Sequence, residues 1–139
     1  MLLPLLLAAA APSAQAPEDI VRQFVAAYNE RRYKAFETAL APDAKWYSVD
    51  GSRISVEGDG AAAIGRWVRN YLEKTCRTCR SELLSVSASG RFVATVERAS
   101  WTGRDGACVA QSSTAVYEVA DARIRAVWYF PASAKGPCK

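Results

Sequence analysis

The order of the elements predicts an α+β domain in which helices from the first half of the chain cover one face of a small, curved, mostly antiparallel sheet. Three observations carry that prediction. Apolar residues recur at helical spacing in three separate segments before residue 76. Four alternating segments fill residues 80–130, and the short turns between them force antiparallel neighbours. One further strand and a short return lie between the second and third helices, so the sheet draws on both halves of the chain and wraps over the helices. Such an arrangement forms a pocket, but it names no reaction.

Ile20, Val21, Phe24, Val25 and Tyr28 fall on one helical face, and Glu18-Asp19 suit the positive end of the helix dipole. The first helix is therefore expected over about 18–31. Tyr33, Phe36, Glu37 and Leu40 suggest a short second helix, ended by Pro42, which disfavours helical geometry at Ala41. Lys45 to Asp50 alternates, with Trp46, Ser48 and Asp50 on one face. Asp50-Gly51 is a turn signal, and Arg53 to Glu57 reads as a short return strand. Asp59 is placed to cap the third helix, whose Ile64, Trp67, Val68, Tyr71 and Leu72 form a core-facing stripe ending near Thr75. Strands are then expected over 80–88, 91–102, 108–119 and 123–130, and Ala132 to Lys139 looks like loop.

Residues 1–16 carry no charge, and Leu2 to Ala11 is an apolar run broken only by Pro4. Ala14-Gln15-Ala16 is a small-x-small cleavage site followed by Pro17 and an acidic pair. This predicts a signal peptide over 1–16 and a periplasmic or secreted protein. The run is shorter than the roughly 20 apolar residues a spanning helix needs. The rest of the chain is one domain's length, expected over 17–131 with a tail over 132–139. The net charge of +4 comes from scattered basic residues, not from a stripe with interleaved aromatics, so no nucleic-acid partner is expected. The chain has no histidine, which removes the commonest general base and metal ligand together with Ser-His-Asp and Cys-His systems. Proton transfer must then fall to a carboxylate, tyrosine, lysine or cysteine. No metal and no cofactor are expected.

Four cysteines, Cys76, Cys79, Cys108 and Cys138, are an even count in a chain expected to be exported, which points to disulfides with three possible connectivities. The Cys76-Arg77-Thr78-Cys79 pair follows a helix instead of opening one, so it lacks the N-terminal dipole that stabilises a redox thiolate. Its spacing to the other cysteines fits no zinc ribbon or finger.

The chain resembles the nuclear transport factor 2-like superfamily, and its SnoaL-like branch in particular. The resemblance rests on Ile20 to Asn29, Ala35-Phe36-Glu37, Leu40-Ala41-Pro42-Asp43-Ala44, Gly58-Asp59-Gly60 and Ile124 to Pro131. It implies an α+β cone: three helices closing a strongly bent sheet of about six strands around a hydrophobic pocket. It also implies that the outer sheet face can pair two copies into a homodimer, and it spans isomerases, cyclases, dehydratases and non-catalytic binders. The ketosteroid isomerase chemistry of the superfamily needs a helix tyrosine and two strand carboxyls. By this resemblance those positions fall on Phe24, Ser48 and Thr114, none of the required type. Matched the same way, the pocket faces would be Trp46, Ser48 and Asp50; Thr95, Glu97, Ala99 and Trp101; Ala110, Ser112, Thr114 and Val116; and Ile124, Ala126, Trp128 and Phe130, with Tyr28 entering from the first helix. The implied meander brings Cys79, Cys108 and Cys138 to one end, favouring Cys108–Cys138 with Cys76–Cys79.

Glu97 is the candidate acid/base, because an apolar surround disfavours the charged carboxylate and raises its pKa. The competing expectations are an ion pair with Arg98 or Arg125, exposure if the strand phase slips by one residue, or a ligand anchor without chemistry. Asp50 is a second candidate acid/base, or simply a turn residue. Tyr28, Trp46, Ser48, Trp101, Thr114, Trp128 and Phe130 are the expected ligand contacts, and a small, largely apolar molecule is the expected partner. The expected function is binding such a molecule or a partner protein. The alternatives are a cofactor-free isomerase, cyclase or dehydratase, and a structural or dimerising domain.

Overall fold

In a computed structural model that describes residues 14–139, three helices lie against a curved, unclosed sheet. The expected signal peptide falls almost wholly outside the described residues. Helix α1 (Pro17–Asn29) begins on a proline, which suits the first helical position because its missing N–H would lack a partner there anyway. It buries Ile20, Val21, Phe24, Val25 and Ala27. Helix α2 (Tyr33–Thr38) ends sooner than expected. Leu40 belongs instead to β1 (Leu40–Asp50), where it pairs in parallel with Ile124 and is buried. Strand β2 (Arg53–Asp59) returns antiparallel through the Asp50-Gly51 turn.

Asp59 does not cap α3 (Ala61–Asn70). The capping position is Gly60, at φ +91, and Asp59 binds Lys45 across β1–β2 at 2.7 Å. The Gly60 N–H is held by the Ala44 carbonyl at 2.7 Å. Residues Tyr71–Thr75 continue α3 as one wide π-type turn, closed by Cys76 N–H to Tyr71 C=O at 2.8 Å. Such turns re-aim side chains locally, and both Tyr71 and Thr75 face the cavity described below.

Strands β3 (Arg80–Ser89), β4 (Phe92–Thr102), β5 (Cys108–Ala120) and β6 (Arg123–Tyr129) form the expected antiparallel meander. The sheet runs β2-β1-β6-β5-β4-β3, with β1 and β6 parallel. The tail is not loop throughout: Gly136–Pro137 forms a short β7 paired to β5. The core sits between the helices and the concave face, where Ile20, Val21, Phe24, Phe36, Leu40, Ile64, Val93, Tyr117, Ile124 and Val127 pack together. Cys76 is bonded to Cys79 and Cys108 to Cys138, with Cα separations of 5.3 and 5.4 Å, inside the usual span. Among the described residues no helix is long and apolar enough to cross a membrane.

Candidate functional site

Strand β4 is paired to β5 without interruption from Phe92 to Thr102, so its alternation stays in phase. Val93, Thr95 and Glu97 point inward and are buried, while Phe92, Ala94 and Val96 point out. Further along the same inward face, Ala99 and Trp101 line a cavity of about 680 Å³. Phe24, Tyr28, Trp46 and Trp67 supply aromatic walls. Trp46 stacks on Tyr129 with centroids 5.1 Å apart and meets Trp67 edge-on at 5.8 Å. Phe24 stacks on Phe36 at 4.2 Å. A ring-containing ligand would therefore meet π faces already fixed by packing.

Glu97 is the cavity's single carboxyl group, and it is 3% exposed. It pairs with no cation among the described residues: Arg98 binds Glu82 and Arg125 binds Asp43. Tyr117, fully buried, donates its hydroxyl to Glu97 Oε1 at 2.5 Å, and Tyr129 donates to Oε2. The two phenol oxygens lie 3.1 Å apart, and Thr95 Oγ1 is a weaker contact at 3.4 Å. Burial pushes the Glu97 carboxyl up, and the hydrogen bonds from Tyr117, Tyr129 and Thr95 only partly offset it. Burial also holds Tyr117 and Tyr129 well above the ordinary phenol range. Tyr28 is pushed up to about 12, chiefly by burial and then by Tyr71. None of these phenols is a base near neutral pH.

Counting protons shows what the cluster can do. Glu97, Tyr117 and Tyr129 make three mutual oxygen–oxygen contacts. With Glu97 ionised there are two protons for three contacts, and the phenol–phenol contact has none. With Glu97 protonated there are three protons. Each contact can then be filled, or one hydroxyl can turn to donate to a ligand oxygen. The cluster is thus a proton-accepting and proton-donating unit facing an apolar space, held without a compensating cation.

The structure divides the other expected site residues between two faces. Tyr28, Trp46 and Trp101 line the cavity. Ser48 shares the inward face through its register with Tyr129, but it is not among the lining residues. Asp50 is exposed at the β1–β2 turn, away from the lining. Thr114, Trp128 and Phe130 are corrected to positions off the cavity. On β5 the phase is the opposite of that expected, so Gln111, Ser113 and Tyr117 face inward and Thr114 is exposed. On β6 a register shift opposite Glu118/Val119 reverses the alternation, so Val127 is buried in the core and Tyr129 faces the cavity, while Trp128 stacks on Tyr47 on the outer face. Phe130 is 39% exposed.

Sequence reasoning missed Tyr117 and Tyr129, the two partners of Glu97. The available signal was Glu118: a charged residue in mid-strand belongs outside, which turns Tyr117 inward. Among the described residues no group of three or more His, Cys, Asp or Glu side chains could hold a metal ion.

The sequence matches the SnoaL-like domain family over residues 21–127. The chain belongs to that family. No curated protein matches it by sequence. In structure, the SnoaL-like domain is similar to an uncharacterised cystatin-fold protein from Novosphingobium aromaticivorans, with a TM-score of 0.74, 16% identity, and coverage of 85% of this chain and 100% of the other. It is similar to a loop-truncation variant of IdmH, at TM-score 0.71, 18% identity and coverage of 85% and 93%. It is also similar to an LEH-like epoxide hydrolase from M. tuberculosis, at 0.65, 19% identity and coverage of 82% and 80%. At these identities the likeness establishes the SnoaL-like fold and leaves the chemistry to the site itself.

Proposed function

We propose that the mature protein, exported after cleavage behind Ala16, binds a small, largely apolar, ring-containing molecule in the cone and anchors one of its oxygen atoms on Glu97, Tyr117 and Tyr129. The observation that carries this is the Glu97 carboxyl, free of any ion pair, set against two tyrosine hydroxyls in an aromatic-walled, largely apolar cavity of about 680 Å³. A volume of that order suits a small-molecule site. Leader, cleavage site and two disulfides support export. A second reading, proton transfer by Glu97 in a cofactor-free isomerase, cyclase or dehydratase, is favoured by the upward push on its carboxyl, which moves it toward useful acid/base behaviour.

A thermal-shift screen of small apolar ketones, phenols and lactones tests the binding reading, since a ligand stabilises the folded state by mass action. The control is Ala99→Phe, whose ring would enter the cavity. Hits are expected to raise the melting temperature of the native protein and not that of the filled variant. If no compound separates the two proteins, there is no such binding site. Glu97→Gln is expected to keep most of the shift. If a hit is also turned over, that variant loses turnover while keeping affinity.

A further inference from the structure

The C-terminal tail bears on the same cavity. A terminal stretch of eight residues ordinarily frays, but this one is fastened on both sides of Lys135. Before it, Ser133 N–H binds the Ser112 carbonyl at 2.7 Å, and Ser133 Oγ accepts from Ser112 N–H at 3.0 Å. After it, Gly136 and Pro137 pair with Ala110 and Val109, Cys138 N–H reaches the Cys108 carbonyl at 3.2 Å, and the Cys108–Cys138 disulfide locks the end. The tail is thus a strap, and it sets the exposed Lys135 into the cavity wall with Nζ 5.5 Å from the Trp101 ring centroid. Arg80, also exposed, lies on the same lining. Neither has a carboxylate within ion-pair distance among the described residues. The one acidic side chain of the lining, Glu97, is buried. The cavity therefore carries its cations at exposed positions and its one carboxyl in the buried interior.

We propose that the ligand is an amphipathic anion, an apolar ring body carrying one acidic group, and that Lys135, presented by the disulfide-fastened tail, binds the acidic group at the rim with Arg80 as second cation. This rests on the binding function proposed above and adds the charge of the ligand to it.

Two fluorescent probes of the same ring system separate the two ideas: anilinonaphthalene sulfonate and the uncharged phenylnaphthylamine. Both are titrated into the full oxidised protein, into Lys135→Met, and into Arg123→Gln, which removes an exposed charge from the β5–β6 turn, outside the lining. The sulfonate is expected to bind about fivefold more tightly than the neutral probe, the size of one partly exposed ion pair. Lys135→Met is expected to remove most of that preference without changing neutral-probe affinity, and Arg123→Gln is expected to leave both unchanged. The proposal is overturned if Lys135→Met leaves the sulfonate affinity intact, if it weakens both probes equally (Lys135 then being only apolar wall), or if Arg123→Gln weakens the sulfonate as much as Lys135→Met does. Neutral-probe binding without sulfonate preference overturns the anion class alone. Failure of both probes to bind overturns the cavity function as well.

Discussion

Tyr117→Phe isolates the cluster around Glu97 with little change in shape. The ring stays, along with its edge contact to Phe24 at 6.2 Å, and only the hydroxyl is lost. That hydroxyl is fully buried and donates to Glu97 Oε1 at 2.5 Å. The cost depends on the charge of Glu97. Burial raises its folded pKa above the unfolded value, so the folded state holds the proton more tightly. The stability this contributes is complete below the unfolded carboxylate pKa and is lost as pH rises through the folded one. At the acid end of a pH series, below the folded pKa, the carboxyl is neutral, and the variant loses one neutral hydrogen bond, about 1 kcal/mol. At the alkaline end, above the folded pKa, the bond lost is one to a carboxylate, about 2–3 kcal/mol. The hydroxyl favours the ionised form, so its removal pushes the Glu97 pKa further up and the penalty grows with pH. Urea unfolding followed by tryptophan fluorescence at the two ends of the series measures this directly. Adding Glu97→Gln to both proteins is expected to remove the pH dependence of the difference. Equal costs at both pH values, or a cost below about 0.5 kcal/mol at the higher one, would refute the assignment of a buried, titrating carboxyl.

The disulfide at the tail closes a separation of 30 residues, for which the chain-entropy relation gives about 3.5 kcal/mol. Cys108→Ser with Cys138→Ser is accordingly expected to lower the melting temperature by roughly 10–15 °C, read by differential scanning calorimetry. A drop of only a degree or two would mean that the strap contributes little to the fold. Gly58→Ala should also destabilise, by about 1–3 kcal/mol, because a Cβ there would stand 2.7 Å from Ile64 Cγ1, and Ile64 is fully buried on α3. A chemical-denaturation midpoint matching that of the native protein would show that α3 yields more readily than its packing implies.

The legibility of each element in the sequence depends on where the sheet keeps its phase. The helices were legible because Ile20, Val21 and Phe24 on α1 and Ile64, Val68 and Leu72 on α3 recur at helical spacing on faces that are in fact buried. Glu97 was legible for an equivalent reason: β4 pairs with β5 without a shift, so period two along its own residues places Glu97 beside Thr95 and Val93. Strand β6 is different. Arg123 correctly turns Ile124 inward, and the shift opposite Glu118/Val119 then reverses the face from Ala126 onward, which pairs with the outward Glu118. No local pattern announces that reversal, because an irregularity in the ladder depends on what the neighbouring strand does. The same dependence hides Lys135, which reaches the cavity only because the tail is fastened to β5 on both sides of it. A side chain's own strand thus revealed the cavity's acid. Its tyrosine partners and rim cation come from strands and a strap whose placement is tertiary, so the chemistry of Glu97 could be suspected from one strand but characterised only from three strands and the strap together.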